Sequence, residues 1–316
     1  MKVDLVAEHC DRILAELETA IVGKTEVLRQ ILAGVLANSH ILIEDYPGLA
    51  KTVIAKSLAA TVGCSFARVQ FTPDLLPADV TGTYVYNQKS GDFELRKGPV
   101  FTNILLADEI NRSPPKTQSA LLEAMQERQT TLDGKAHPLE NPFIVIATQN
   151  PIEFEGVYLL PEAQLDRFIM KLRIGYPDKN SEVEILRRRI ARKEDEFAIR
   201  PIIDTATLIA MQDSVEGVHA DDVVLSYITD IVRETRGHSQ IDVGASPRGS
   251  LALVKLARAN AALSRRDYIL PDDVKAVCNE ALSHRIIPKA ASWIRGFDPA
   301  SVIEEIVRRV PVPKVD

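Results

Sequence analysis

The first half of the chain alternates between helix-like and strand-like hydrophobic patterns. Apolar residues recur every three or four positions over residues 4–20 and again over 25–37, which predicts two amphipathic helices. Short apolar runs typical of strands follow, separated by helical or turn-rich segments. These runs are His40–Glu44, Phe66–Phe71, Asn103–Ala107, Phe143–Thr148 and Lys171–Ile174. Strands that alternate with helices predict a parallel α/β sheet.

The pattern changes at Tyr176-Pro177-Asp178, where proline interrupts the chain and Asp178 or Ser181 is placed to cap a new helix. Beyond this point the periodicity is helical, and Pro271-Asp272-Asp273 is typical of a helix start. We predict an α/β domain over residues 1–176 and an all-helical domain over residues 177–316, which closes in an extended segment at 310–313. The helices predicted in the second domain span residues 180–194, 204–215, 221–236, 247–264 and 271–285.

Composition excludes several classes of protein. Of the 316 residues, 46% are hydrophobic and 26% are charged, and no run approaches the roughly 18 consecutive apolar residues of a membrane span, so we expect no membrane insertion. The formal charge is −6 and neither half is net positive, which disfavours a dedicated nucleic-acid binder but leaves a local basic groove open. The opening MKVDLVAEHC lacks the features of a secretory signal, so we expect a cytoplasmic location.

The cysteines and the single tryptophan are interpreted as structural residues. Cys10, Cys64 and Cys278 are widely separated and form no CxxC pair, which favours free thiols over a disulfide framework or a zinc site. Trp293 is expected to be a packing residue near the C-terminus.

The first candidate for chemistry is the segment from Ile41 to Thr52, which runs from a strand through a tight turn into a helix starting near Lys51. The backbone N–H groups of such a turn cradle phosphate, a lysine adds a point charge, and a Thr hydroxyl is a ligand for Mg²⁺. The pattern departs from G-x4-G-K-[ST] because Asp45 and Ala50 occupy the glycine positions. Ala50 fits if its φ is negative, and the Asp45 carboxylate lies near the phosphates unless it points away. The alternative is an ordinary strand-turn-helix with a buried lysine.

Polar residues also follow two later strands. Asp108 and Glu109 end the apolar run from Asn103, so one carboxylate can serve Mg²⁺ and the other can contact an attacking water. Asn150 follows the run ending at Thr148 and offers an amide to water or phosphate. The alternatives are a loop start at Asp108 and an Asn-Pro turn at Asn150.

Taken together, the motifs resemble the MoxR family of AAA+ ATPases over roughly residues 5–313. The resemblance rests on the following segments: the loop with Lys51-Thr52, Asp108-Glu109-Ile110-Asn111-Arg112, Thr148-Gln149-Asn150-Pro151, Leu160-Pro161-Glu162-Ala163-Gln164-Leu165-Asp166-Arg167-Phe168, Gly244-Ala245-Ser246-Pro247-Arg248, and His284-Arg285-Ile286.

The resemblance implies a role for each candidate residue, with ATP and Mg²⁺ as cofactors. Glu109 would be the catalytic base, Asn150 sensor 1 and Arg248 sensor 2, while Arg167 resembles the arginine finger that reaches a neighbouring subunit's γ-phosphate. The metal would be held by Thr52 and Asp108. The nucleotide would be bound by Val22, Gly23, Pro47, Gly48, Leu49, Ala50, Lys51, Thr52, Val53 and Asp108.

Structural alternatives stand beside three of these roles. Arg167 could instead form an ion pair with Asp166 or Glu162, and Arg248 could be an exposed arginine at a helix start. Val22 and Gly23 could belong to a simple N-terminal helix turn. The sequence also leaves open whether Arg248 acts on its own nucleotide or on a neighbour's, because the family resemblance implies that an extra helix near residues 204–215 displaces the lid.

Two segments predict β-hairpin inserts. Residues 80–100 alternate apolar and polar positions around a turn, and residues 129–135 contain an Asp-Gly turn. They resemble the inserts that line the central pore in the MoxR, chelatase and MCM group; the alternative is that both are ordinary surface hairpins.

The function implied is that of an ATPase acting in a homo-oligomer, with a hexameric ring as the expected form. It would serve as a chaperone-like remodelling, assembly or cofactor-insertion factor for other protein complexes, with a von Willebrand factor A domain protein or another client as partner. Two alternatives are kept: a nucleic-acid translocase, and a nucleotide-gated scaffold with little hydrolysis, the latter suggested by Asp45 and Ala50.

Overall fold

The computed structural model describes residues 1–151, 157–294 and 296–314. Its strands, in chain order, are β1 (Ile41–Glu44), β2 (Phe66–Gln70), β3 (Gly82–Asn87), β4 (Asp92–Lys97), β5 (Ile104–Asp108), β6 (Gln129–Leu132), β7 (Lys135–Pro138), β8 (Ile144–Gln149), β9 (Met170–Leu172), β10 (Ile241–Val243) and β11 (Ile287–Pro288). Its helices are α1 (Val3–Ala20), α2 (Thr25–Leu36), α3 (Lys51–Thr61), α4 (Pro77–Thr81), α5 (Pro115–Glu127), α6 (Glu162–Leu165), α7 (Lys179–Arg192), α8 (Thr205–Glu216), α9 (Asp222–Gly237), α10 (Pro247–Leu263), α11 (Pro271–Lys275), α12 (Cys278–Leu282), α13 (Ala290–Ile294) and α14 (Pro299–Arg309).

A five-stranded parallel sheet in the order β2-β5-β8-β1-β9 forms the centre of the first half. Its middle strands are continuous apolar runs because helices cover both faces. All five strands run the same way, so their carboxyl ends meet at one edge. Glu44 lies beside Gln149 there, and Gln70 lies beside Asp108.

The core is divided by the sheet because successive strand residues point to opposite faces. Helices α1, α2 and α3 pack on one face, together with helices of the second half, whereas α5 packs on the other. From the three middle strands, Ile41, Ile43, Ile104, Leu106, Ile144 and Ile146 are buried on the first face, and Leu42, Leu105, Ala107, Val145 and Ala147 on the second.

Both predicted hairpins are present. Strands β3 and β4 pair antiparallel, as do β6 and β7. The β6–β7 turn places Asp133 and Gly134 at φ 47 and 75, the left-handed conformations that a tight hairpin turn needs. The predicted parallel α/β sheet with hairpin inserts, followed by a helical region, is thereby confirmed.

The second half is helical except for one short antiparallel pair, β10–β11. These strands have three and two residues, too few to leave a pattern in the sequence. The helix predicted over 271–285 is interrupted: α11 ends at Lys275 and α12 begins at Cys278. Between them the N–H of Val277 bonds to the carbonyl of Val274 three residues back, and the φ of Val277 is −120.

The expectations for thiols and tryptophan have different outcomes. Cys10, Cys64 and Cys278 are all free, as predicted. The packing role of Trp293 is wrong, because its side chain is 70% exposed on the short helix α13. Among the helices of the described residues, none combines the length and the apolar character that a bilayer crossing requires.

Candidate functional site

A cleft of about 360 Å³ opens at the carboxyl edge of the sheet, between the β1–α3 loop and the ends of β5 and β8. It brings together most of the residues singled out in the sequence, because parallel strands deliver their C-terminal residues to the same edge. The lining residues are Pro47, Gly48, Leu49, Ala50, Lys51, Thr52, Val53, Arg68, Gln70, Asp108, Glu109 and Asn150.

The β1–α3 loop wraps the N-terminus of α3. Gly48 has φ 82 and Ala50 has φ 55, so both lie in the left-handed region. The condition of a negative φ at Ala50 is therefore wrong, and the loop keeps its shape without a second glycine at a cost of about 1–2 kcal/mol. The first N–H groups of α3, which have no partner within the helix, begin at this loop and favour an anion.

Asp45 points away from the cleft. Its Oδ2 accepts hydrogen bonds from the N–H groups of Ile174 and Gly175, both at 2.6 Å, and its Oδ1 accepts from the N–H of Tyr46 at 2.8 Å. The residue is 5% exposed. The carboxylate therefore ties the start of the loop to the segment after β9, and it does not oppose a phosphate.

Lys51 projects into the cleft, where its Nζ donates to the carbonyl of Asp45 at 2.6 Å. Burial lowers the pKa of this ammonium below its usual value, and the negative charges of Asp108, Asp45 and Glu109 partly offset that shift. A neutral carbonyl is a weaker partner for a cation than a phosphate is, so the ammonium is placed to transfer to an anionic ligand.

Asp108 is held from two sides. The buried hydroxyl of Thr148 donates to its Oδ1 at 2.6 Å, and Arg68 donates to its Oδ2 from Nη2 at 2.7 Å and from Nε at 3.2 Å. The Asp108 side chain is 12% exposed, while that of Arg68 is 46% exposed. The carboxylate is thus fixed by Thr148, and its second oxygen pairs with a more exposed cation.

Glu109 sits at a strained backbone position with φ 55. Such conformations are uncommon for residues other than glycine and cluster at functional sites. The Glu109 N–H donates to the hydroxyl of Thr148 at 2.9 Å, and its Oε2 accepts from Gln70 at 2.5 Å and from Arg112 at 3.0 Å. The carboxylate is therefore oriented by two side chains, and Thr148 holds the backbone of the same residue.

Asn150 is 6% exposed and lines the same cleft just beyond the end of β8. Its carbonyl accepts a long hydrogen bond of 3.5 Å from Asn111. The preceding residue, Gln149, donates to Glu44 at 2.7 Å. Asn150 thus lies on the opposite side of Asp108 from Gln70, as the strand order requires.

Arg167 and Arg248 lie elsewhere. Neither lines the cleft; both line a second cavity of about 290 Å³ that also includes Asp166, Lys255 and Arg285. Arg167 donates from Nη1 to the carbonyl of Leu122 at 2.7 Å, and the ion pairs with Asp166 are made by Arg248 at 4.0 Å and by Arg285 at 2.7 Å.

Val22 and Gly23 also lie outside the set of described residues that line the cleft. Gly23 has φ 70, and a Cβ there would stand 2.2 Å from the hydroxyl of Ser181 at the start of α7. The next residue, Lys24, donates to the carbonyls of Ile174 and Tyr176. This segment therefore packs against the connection between the two halves, and its contact with a nucleotide base stays a prediction.

Sequence reasoning missed several residues of these two cavities. Arg68 and Gln70 alternate with apolar residues along β2 and face the acids of β5, a signal visible only once that pairing is known. Thr148 belongs to a segment that carries the family resemblance, but the sequence assigns it no role. The polar network around Asp166, formed with Ser246 and Arg285, joins residues about one hundred positions apart.

The oxygen atoms that line the cleft determine whether Mg²⁺ can bind there. No group of three or more His, Cys, Asp or Glu side chains that could bind a metal alone occurs in residues 1–151, 157–294 and 296–314. Mg²⁺ is commonly bound by one or two protein oxygens together with substrate phosphates and water. The Thr52 hydroxyl and the Asp108 carboxylate line one cleft and supply oxygens of that kind. The residues present therefore fit Mg²⁺ brought in with a phosphate ligand.

Comparison with known proteins gives consistent results. Residues 40–170 match the ATPase family associated with various cellular activities (AAA), and residues 233–306 match the AAA lid domain. Uncharacterized protein YeaC of Bacillus subtilis is 47% identical over 306 residues, which span 97% of this chain and 93% of that protein. Chaperone MoxR1 of Mycobacterium tuberculosis is 40% identical over 315 residues, spanning 97% and 83%. A crystal structure from Cytophaga hutchinsonii that carries an ATPase assignment superimposes with a TM-score of 0.92 at 41% identity, covering 99% of this chain and 97% of that one.

Proposed function

Because the chain belongs to the MoxR family of AAA+ ATPases, as its motifs predicted, we propose that it hydrolyses MgATP in a ring of identical subunits and uses this cycle to remodel or assemble other protein complexes. The observation that carries the proposal is the separation of two cavities. One holds Lys51, Asp108 and Glu109, and the other holds Arg167 and Arg248. The first cavity has the lysine and the acids that phosphoryl transfer needs, and the second has the arginines that can stabilise the charge of its transition state.

Within one subunit, the β1–α3 loop and the N-terminus of α3 bind the phosphates. Lys51 moves from the Asp45 carbonyl to a phosphate oxygen, which is a charge-assisted contact. Glu109, already oriented by Gln70 and Arg112, accepts a proton from the attacking water or orients it. Asn150 faces the γ-phosphate from the end of β8.

Thr52 and Asp108 hold the metal in this proposal. When bound, Mg²⁺ neutralises the charge that develops on the phosphates during transfer. Thr148 keeps Asp108 in place for that contact through its 2.6 Å hydrogen bond. Arg68, which shares the Asp108 carboxylate through a 2.7 Å ion pair, would compete with the metal for that oxygen.

A neighbouring subunit completes the site. Arg167 and Arg248 line one cavity, so both can be presented together to the cleft of the next copy. We therefore propose that Arg248 acts on the neighbour's nucleotide, and its place beside Arg167 in that cavity supports this choice. A heterologous interface of this kind closes into a ring when the rotation between copies divides a full turn, and we propose six copies.

The client is another protein. The homologue in Mycobacterium tuberculosis is named a chaperone. The β3–β4 hairpin carries a tilted aromatic pair, Tyr86 and Phe93, whose ring centroids are 5.4 Å apart and whose side chains are 53% and 69% exposed. An exposed aromatic pair flanked by charged residues is suited to contacting a polypeptide substrate in a pore. A von Willebrand factor A domain protein remains the proposed partner, and the cytoplasm the proposed compartment.

The α/β part and the helical part have different roles in this proposal. The α/β part through residue 176 binds and cleaves the nucleotide, and the helical part from residue 177 transmits its state by a change of angle. The hydrogen bonds of Asp45 to Ile174 and Gly175, at the connection, link the phosphate loop to that movement.

The first experiment measures ATP turnover per subunit as a function of protein concentration, with mass followed by light scattering. Wild type is compared with Glu109→Gln and Arg167→Ala. Turnover should rise with assembly and disappear in both variants, while ATP binding by Arg167→Ala stays nearly unchanged. Turnover by monomers that does not depend on concentration would refute the shared site. A ring that binds ATP without turnover would favour the scaffold alternative.

A further inference from the structure

The His284-Arg285-Ile286 motif follows α12 and has no role in the proposal above. Its arginine is nevertheless one of the most enclosed cations of the second half, with a side chain 3% exposed. A buried guanidinium is costly unless its donors are satisfied. The partners of Arg285 therefore indicate why it lies there.

Arg285 binds the segment that carries Arg167. Its Nε donates to Asp166 Oδ1 at 2.7 Å, and its Nη2 donates to the carbonyl of Phe168 at 2.6 Å and more weakly to that of Asp166 at 3.3 Å. Its Nη1 donates to the carbonyl of Ile169 at 3.1 Å and also to that of Ala281 on the preceding helix, α12. Residues 166, 168 and 169 are thus fixed on both sides of Arg167.

Asp166 continues the connection to the helix that carries Arg248. Its Oδ2 accepts from the hydroxyl of Ser246 at 3.1 Å, and Ser246 is the N-cap of α10. Arg248 Nε stands 4.0 Å from the same oxygen. Gly249 lets α10 pack closely on α12, because a Cβ there would lie 3.1 Å from Leu282 and 3.2 Å from Ala245.

We propose that Arg285 and Asp166 are positioning residues that hold Arg167 and Arg248 as one unit across the junction of the two halves, so that both cations are presented together to the neighbouring subunit's nucleotide. The inference rests on the proposed function, in which Arg167 acts on a neighbour. The planar guanidinium of arginine has five N–H donors and can bond to a carboxylate and several carbonyls at once, whereas a lysine ammonium cannot. Lysine should therefore not replace Arg285.

The test uses Arg285→Lys, with Asp166→Asn as a second variant. Turnover by each should fall roughly 10- to 100-fold, since a shift of about 1 Å in a catalytic group has effects of that size. ATP affinity and ring mass should stay near those of wild type. Arg266→Lys is the matched control, because Arg266 forms a two-pronged 2.7 Å pair with Asp273 elsewhere in the helical half. Its turnover should not change.

Mixed rings separate positioning from folding. Arg285→Lys and Glu109→Gln subunits that carry different affinity tags are mixed, and rings that contain both are purified through the two tags in turn. In a random ring about a quarter of the interfaces pair an intact cleft with an intact Arg167, so turnover should recover to about a quarter of wild type.

The control ring combines Arg167→Ala with Glu109→Gln. If this ring recovers turnover but the Arg285→Lys ring does not, the positioning role is refuted and the shared site stands. If neither ring recovers, the shared site itself fails. Unfolding of both Arg285→Lys and Asp166→Asn would also overturn the inference, because the contacts would then serve the fold rather than Arg167.

Discussion

The hydroxyl of Thr148 donates to Oδ1 of Asp108 at 2.6 Å from a fully buried position on the neighbouring strand. The same hydroxyl accepts from the N–H of Glu109 at 2.9 Å. One side chain on β8 therefore sets the position of both acids at the end of β5. The register between the two strands makes this possible, since Ala107 and Ala147 are paired directly before them.

Thr148→Val should lower both stability and turnover. The change leaves the Asp108 carboxylate without one donor and the Glu109 N–H without an acceptor, which costs about 1–3 kcal/mol. Urea unfolding and steady-state kinetics measure the two effects. Thr61→Val, equally buried in α3 and bonded to the carbonyl of Ser57, is the control and should affect stability alone. Equal loss of turnover in both variants would contradict the role of Thr148.

Arg68→Gln should raise the apparent affinity for Mg²⁺ in the presence of ATP. Arg68 and the metal compete for Oδ2 of Asp108, and a half-exposed ion pair is worth at most about 1 kcal/mol, so the gain should be up to about fivefold. Mg²⁺ titrations of fluorescent-ATP binding measure it. Arg173→Gln removes a similar exposed pair with Glu44 and should leave the titration unchanged. A weaker Mg²⁺ affinity in Arg68→Gln would show that Arg68 assists binding instead.

ATP affinity should fall as the pH rises through the pKa of Lys51. Burial lowers the pKa of this ammonium from its usual 10.5, and bound phosphate favours the charged form. The affinity for ATP should therefore be highest below the pKa that Lys51 has in the ATP-free protein. Above that pKa, affinity should fall by roughly tenfold per pH unit. Dissociation constants measured between about pH 7 and pH 10 test the slope. Lys51→Arg stays charged throughout that range, and an identical slope in this variant would assign the titration to another group.

Ala50→Gly and Ala60→Gly should have opposite effects on stability. Ala50 has φ 55, where glycine removes strain of about 1–2 kcal/mol while adding freedom to the unfolded chain, so the free energy of unfolding should rise by about 0–1 kcal/mol. Ala60 is an exposed residue inside α3, where the same change should cost about 1 kcal/mol. Urea unfolding of both variants tests the sign. A loss at Ala50 as large as that at Ala60 would show that the loop is not strained.

The sequence by itself determined the main elements and most residues of the cleft, but not Arg68 and Gln70. Apolar periodicity is local, so it identified α1, α2 and the central strands, and it placed Lys51, Asp108 and Asn150 at helix or strand ends. The parallel sheet then follows from the alternation of elements. It brings those ends together without further information, because parallel strands share one carboxyl edge.

Only the tertiary structure decided where side chains point and which distant residues meet. Asp45 turned away from the phosphate site because backbone N–H groups after β9 bind its carboxylate, and Ala50 took a left-handed φ because the loop has to enter α3. The hydrogen bond of Arg285 to Asp166 joins residues 119 positions apart. No periodic pattern encodes such a contact, since it arises from the packing of the helical half against the sheet.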